Sequence, residues 1–186
     1  MRQPSILLSS ILLISLAHVH AQNNPEPIRL CVSTLQNTSR TAIDATWQRN
    51  QLIKAFERNN KGKDVAKGKA ARIETVLLDS NSETDPAVRD KNCQFILHLN
   101  VVEVIDAGTS DGDPRPHSIG IGSTPNDPRS NDNRATVSYR IMQAGELKVW
   151  DAGEVTAHDP LPDAMLLSHL MDQTANRVVS DFREHH

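Results

Sequence analysis

Apolar positions along this chain recur in two periods, and the change from one to the other marks out the elements. Phe95 to Ile105 alternates without interruption: Phe95, Leu97, Leu99 and Val101 fall on one face, Ile96, Val102 and Val104 on the other. Two apolar faces on one strand predict a central place in a sheet. Ile28 to Leu35 reads as an earlier strand, followed by a polar turn over Gln36 to Arg40. Thr41-Ala42-Ile43-Asp44 then offers a hydroxyl N-cap with an acid three positions on, a variant of the capping box. The helix it opens is expected to run to about Asn60. Ala45, Leu52, Ile53 and Phe56 form its apolar stripe, with Gln48, Gln51, Lys54 and Arg58 outside it. Lys61 to Lys69 is basic and glycine-bearing, and reads as a solvated loop.

A second short strand is predicted over Ile73 to Leu78, with its turn at Asp79-Ser80-Asn81 and one or two helical turns after Pro86. Residues 107–134, rich in Gly, Pro, Asp, Asn and Ser, are expected to be a long disordered loop. Ala135 to Met142 and Leu147 to Ala157 form two more strands, a hairpin joined through Gln143-Ala144-Gly145-Glu146. Val137, Tyr139 and Ile141 alternate with Thr136, Ser138 and Arg140, which leaves one side of that strand wet. From Pro162 a long helix carries Leu167, Leu170, Met171, Ala175, Val178 and Phe182 in one stripe, with Arg177, Arg183 and two histidines toward its end, where positive charge suits the helix dipole. The order β-α-β-(short α)-β-β-β-α predicts a single α/β domain on a mixed five-stranded sheet. Its first three strands would be parallel, and the hairpin would form an antiparallel edge.

The amino terminus changes the setting of this domain. Arg2 followed by an apolar run from Ile6 to Leu16, and then Val19-His20-Ala21 before Gln22, has the layout of a secretory signal peptide over residues 1–21. The run is too short for the roughly 20 residues that span a bilayer. Residues 22–27 are then a linker and 28–184 the domain. A chain of this size buries roughly 70% of its unfolded surface, so it stands without staples. Its formal charge of −3, dispersed along the chain, lacks the basic stripe that nucleic acid demands. Export makes Cys31 and Cys93 candidates for a disulfide, with two buried thiols as the alternative. Cys31 is not a lipid-anchor cysteine, because Ile28-Arg29-Leu30 precede it instead of small uncharged residues.

The order of elements, together with Cys93-Gln94-Phe95-Ile96-Leu97-His98-Leu99-Asn100-Val101-Val102-Glu103-Val104 and the hairpin Ala135 to Ile141 and Gly145 to Trp150, resembles a periplasmic domain. That domain is shared by the TolB amino-terminal region, the LpoB-type activators of peptidoglycan synthases and the CsgG-like curli secretion subunit. The likeness covers roughly Arg29 to Glu184. It departs from that group at Met142 to Ala144, where an acid and a threonine are common in the relatives, and in lacking their lipid-anchoring cysteine. The resemblance implies an exported module that binds another protein and does no chemistry of its own.

Candidate chemistry is thin. Gly120-Ile121-Gly122-Ser123 is a partial echo of a nucleophile elbow or dinucleotide loop, without the strand before or helix after that either needs. No His-Glu-x-x-His occurs, and His158 and His169 do not share a helical face at ligand spacing. Asp106, Asp111, Asp113, Asp127 and Asp132 do not match a calcium loop. No metal or cofactor is expected. His98, between apolar neighbours, reads as a hydrogen-bonded structural histidine. Trp150 at a strand end is expected to pack on the last helix, with partner contact as its second role. Trp47 lies off its helix's stripe, and if exposed there it is a candidate contact residue for a protein partner. The function these residues point to is an exported envelope module that docks a partner. The alternative is a secreted hydrolase using the loop 107–134 with His117 or His98.

Overall fold

The computed structural model describes residues 25–82, 84, 86–105, 133–146, 148–159 and 161–185. Residues 1–21, read above as a signal peptide, residues 22–24 of the expected linker, residues 106–132 of the expected loop, the five aspartates weighed for calcium, Gly120 to Ser123 and His117 all lie outside them.

Among the described residues ten elements follow one another: β1 (Ile28–Val32), β2 (Gln36–Asn37), α1 (Ala45–Asn60), α2 (Lys63–Ala66), β3 (Ile73–Leu77), α3 (Pro86–Asp90), β4 (Phe95–Ile105), β5 (Asn133–Gln143), β6 (Lys148–Asp159) and α4 (Asp163–His185). The chain is a single α/β domain whose mixed sheet runs β3-β1-β4-β5-β6. β1 pairs parallel with both β3 and β4, while β4, β5 and β6 pair antiparallel in turn. The hairpin between β5 and β6 turns through Gly145 at φ +85°, a backbone region that glycine enters without a Cβ penalty.

The sheet has six strands where alternation predicts five. β1 reaches only Phe95 to Leu97 of the eleven-residue β4, so the later half of β4 needs another partner. Gln36 and Asn37 supply it beside Asn100 and Val101, and the amides of Thr38 and Ser39 both donate to the Val101 carbonyl. The polar turn is therefore a short strand followed by a turn.

Helix α1 begins later than the capping pattern suggests. The Asp44 side chain accepts from the Trp47 amide at 2.9 Å and is the N-cap. Thr41 is drawn away, its hydroxyl donating to the Val104 carbonyl. Gln48, expected on the wet side, is buried with Leu52, Ala55 and Phe56. The basic loop folds a helical turn, α2, at Lys63–Ala66. β5 takes up Asn133 and Arg134, assigned above to the loop.

The two faces of the sheet differ. α1 and α4 pack on one, burying Leu30, Val32, Leu97, Leu99, Val137 and Ile141 from the strands against Leu52, Phe56, Leu167, Leu170 and Phe182. The other face carries a small apolar cluster under α3, formed by Cys31, Leu78, Val88, Ile96 and Met142. Beyond that cluster, the second face of β4 is open where burial was expected. His98 and Asn100 are half-buried, and a bulge between Val101 and Glu103 turns Val102 outward.

Chain direction places the helix ends. α1 carries the chain from the finish of β1 back to the start of β3, and α4 returns it from the finish of β6. Both helix N-termini thus lie at the end of the sheet where β1, β3 and β4 finish. Side-chain bonds close that end, from Thr41 to Val104 and from the Asn133 amide to the Leu161 carbonyl.

Candidate functional site

Several large apolar side chains are left in water toward that end. Trp47 is 40% exposed in the first turn of α1, and Met165 is 60% exposed in the first turn of α4. Leu77 closes β3, and Val102 and Ile105 stand near the finish of β4, all at least a third exposed. Val149, at the opposite end, is the remaining member of this class among the described residues. Each burial of such a side chain contributes about 1.5–3 kcal/mol, so a partner that covered several would gain a useful increment of affinity.

Trp47 was legible because it falls off the α1 stripe. Met165 falls off the α4 stripe by the same logic and was missed. Val102 and Ile105 were invisible to pattern reading, because alternation cannot foresee a bulge or where the cover over a sheet stops.

Trp150 behaves differently from Trp47. It stacks on Phe182 with centroids 4.6 Å apart and lies 5.3 Å from Phe95 and 5.3 Å from His185. Phe95 and Phe182 meet edge-on at 5.0 Å. The bulge between Ile141 and Met142 in the β5–β6 ladder lets Trp150 turn inward between two register positions. Trp150 is thereby a packing residue that locks the end of α4 to the sheet.

A buried polar node lies one turn away. The Tyr139 hydroxyl donates to Asp181 Oδ2 at 2.8 Å, and Arg177 Nε sits 3.1 Å from Asp181 Oδ1. Tyr139 and Asp181 are both almost fully buried. Gly153 faces the ring across the ladder, and a Cβ there would come within 2.8 Å of the phenol oxygen. Burial pushes the Asp181 carboxyl above its ordinary value and Asp151 adds to that, while Tyr139 and Arg177 oppose it. The phenol rises to about 12, first from burial and then from its bond to Asp181. A raised pKa in the fold means that the neutral phenol is the stabilised form. Its contribution is complete below the ordinary value of 10.0 and is lost as pH rises through about 12. Tyr139 is the sole tyrosine in the chain, so tyrosinate absorbance reads it alone. The expected result is a midpoint near 12 in the folded protein and near 10 in denaturant, and equal midpoints would disprove the node.

The end opposite Trp47 is concave. Two adjoining clefts, of about 210 and about 540 Å³, share Pro25, Ile28 and Ala71 in their linings. The smaller is floored by Ile28, Ile73, Val179 and Phe182 and edged by Asp64, Lys69 and Arg183. The larger reaches Gln94, Phe95, Gln143 and Ala144. Cys31 and Cys93 lie behind this end, joined by a disulfide with Cα atoms 5.6 Å apart.

The polar side chains of the smaller cleft are Asp64, Lys69 and Arg183, and those of the larger are Glu26, Gln94 and Gln143. Among the described residues no three His, Cys, Asp or Glu side chains group as a metal site, and no helix is long and apolar enough to cross a membrane. His98 sits on the open sheet face opposite Arg140 in register and lines neither cleft. What the arrangement offers is surface: an apolar end, a concave end, and a sheet edge at β6.

No family model matches the sequence, and no curated protein matches it. Solved structures do match the fold. The PelC dodecamer from Paraburkholderia phytofirmans superposes with a TM-score of 0.54 at 10% identity, over 82% of this chain and 88% of that one. The hypothetical protein CT253 from Chlamydia trachomatis gives 0.51 at 8% identity, over 84% and 98%. The LpoB C-terminal domain from Salmonella enterica gives 0.42 at 14% identity, over 70% and 82%, a score too low to carry an argument. At these identities the likeness is one of fold.

Proposed function

We propose that this chain is an exported module of the bacterial cell envelope that docks a protein partner and performs no catalysis. The observation that carries this reading is the exposure of Trp47, Leu77, Val102, Ile105 and Met165 toward one end of the sheet. Tryptophan is the side chain that interface energetics favour most, and Trp47 and Met165 stand exposed in the first turns of α1 and α4. The layout of residues 1–21 supports export to the periplasm or beyond. The PelC protein is a dodecamer, so this fold is one that another chain uses in an assembly.

Affinity capture from envelope extracts tests the reading. Wild-type bait is expected to retain a partner that Trp47→Ala/Met165→Ala bait retains at least about tenfold less, given hot-spot losses of roughly 2 kcal/mol or more. Circular dichroism should show both baits equally folded. If the two baits retain the same proteins in the same amounts, the apolar end is not the docking surface. If neither retains any, the docking function itself fails.

A further inference from the structure

We infer that the adjoining clefts at the concave end hold an amphiphile, one anionic head on an unbranched alkyl chain, of the kind a fatty acid or a single-chain acidic lipid supplies. The site is separate from the apolar end, and its failure would leave the docking reading untouched. Lining and charge carry it together.

The lining sets the chain. Ile28, Ile73, Val179 and Phe182 floor the smaller cleft, and it adjoins the larger through Pro25, Ile28 and Ala71. Pro27, Phe95 and Ala144 continue the apolar surface along the larger one, beside Glu26, Gln94 and Gln143. The two hollows, about 210 and about 540 Å³, share an apolar wall, so a flexible chain that starts in one can continue into the other. Ligand sites are mostly of this make, apolar walls with a few polar groups that fix orientation. Each methylene moved from water onto such a wall tightens binding about fourfold.

Charge sets the head and its place. Lys69, on the stretch after α2, and Arg183, near the end of α4, stand exposed at the mouth of the smaller cleft. Neither makes an ion pair among the described residues. Asp64 is the acid on this mouth, and Glu184, next to Arg183, accepts from the Ser180 hydroxyl one turn back. Lys61, Lys63, Lys67 and Arg72 are exposed on the same stretch, residues 61–72, where Asp64 is the sole acid. Glu26 puts an acid on the larger cleft instead. An anionic head therefore belongs at Lys69 and Arg183, with the chain running toward Phe95 and Ala144. Both rim cations are in water, where a single ion pair is worth little. The head orients the ligand, and the chain supplies most of its affinity.

Trp150 reads the site, because it stacks on Phe182, with centroids 4.6 Å apart, and Phe182 floors the smaller cleft. Trp47→Phe, at an exposed position, leaves Trp150 as the sole tryptophan. Titration of this protein with straight-chain carboxylates from butanoate to decanoate, each below its micelle concentration, is expected to shift Trp150 emission saturably. Affinity should rise about fourfold per methylene until the chain outgrows the clefts. The alcohol of equal length should bind about two- to fivefold more weakly. With Lys69→Glu/Arg183→Glu added, both at exposed positions and checked for folding by circular dichroism, the acid should lose its advantage over the alcohol while the rise with length stays. Tighter binding of lysophosphatidylglycerol than of the carboxylate with the same chain identifies a lipid as the source, and weaker binding identifies the free acid. No saturable shift at any length overturns the inference. So does an affinity indifferent to length, an acid that binds no better than the alcohol without the charge reversal, or one that keeps its advantage with it.

Discussion

Phe182→Ala should lower the stability of the domain by about 3–5 kcal/mol, the usual range for deleting a buried aromatic ring. Phe182 is 2% exposed in the last turns of α4, stacked on Trp150 and edge-on to Phe95. Its removal takes away the hydrophobic transfer energy of the ring and two aromatic contacts, each worth about 0.5–1.5 kcal/mol beyond their area. The hole falls where a cleft already opens beside it, so water can enter and collapse cannot heal the site. Urea unfolding followed by tryptophan fluorescence measures the loss. Trp150 should also shift toward a wetter emission before the main transition, while Trp47 stays as it was. A loss under about 1 kcal/mol would mean that the α4 terminus is not packed as described.

Reducing the Cys31–Cys93 bond, or replacing both residues by alanine, should cost about 2–5 kcal/mol. The bond spans 62 residues of sequence, and opening it returns the loop-closure entropy of about 4 kcal/mol to the unfolded chain in the entropic account. It ties β1 to the turn that leads into β4, two strands that share only a three-residue register. The turn is already anchored by the Gln94 amide on the Arg29 carbonyl and by the Arg29 amide on the Gln94 side chain at 2.7 Å. The cluster of Cys31, Leu78, Val88, Ile96 and Met142 beneath α3 is small and should open first. Thiol titration of the denatured, unreduced protein is expected to find no free cysteine. A denaturant midpoint unchanged by reduction would show that the crosslink does not constrain the fold.

Periodicity sufficed for the α/β class, the order of the long elements and the parallel-then-antiparallel sheet, because each rests on a run long enough to show its period. β4 was read at its true limits, since eleven alternating residues leave little choice. Elements made by tertiary partners were not legible. Gln36 and Asn37 have no strand pattern, and they pair because β4 outruns β1. Thr41 reads as the cap, but Asp44 takes that place, and the Thr41 hydroxyl bonds to a carbonyl of a distant strand. Gln48 is buried against its polarity. The Tyr139–Asp181 node joins residues 42 positions apart in sequence, a distance over which no local spacing carries information. For the candidate site the same division holds. Side chains that break a helical stripe can be found by eye, whereas those freed by a bulge or by the limit of a covering layer cannot.

The ladder between β4 and β5 closes with Ile105 opposite Arg134, so the two chain positions flanking residues 106–132 are held about one strand spacing, roughly 5 Å, apart. The pairing of β4 with β5 thus holds both ends of that stretch by backbone bonds made between the two strands themselves.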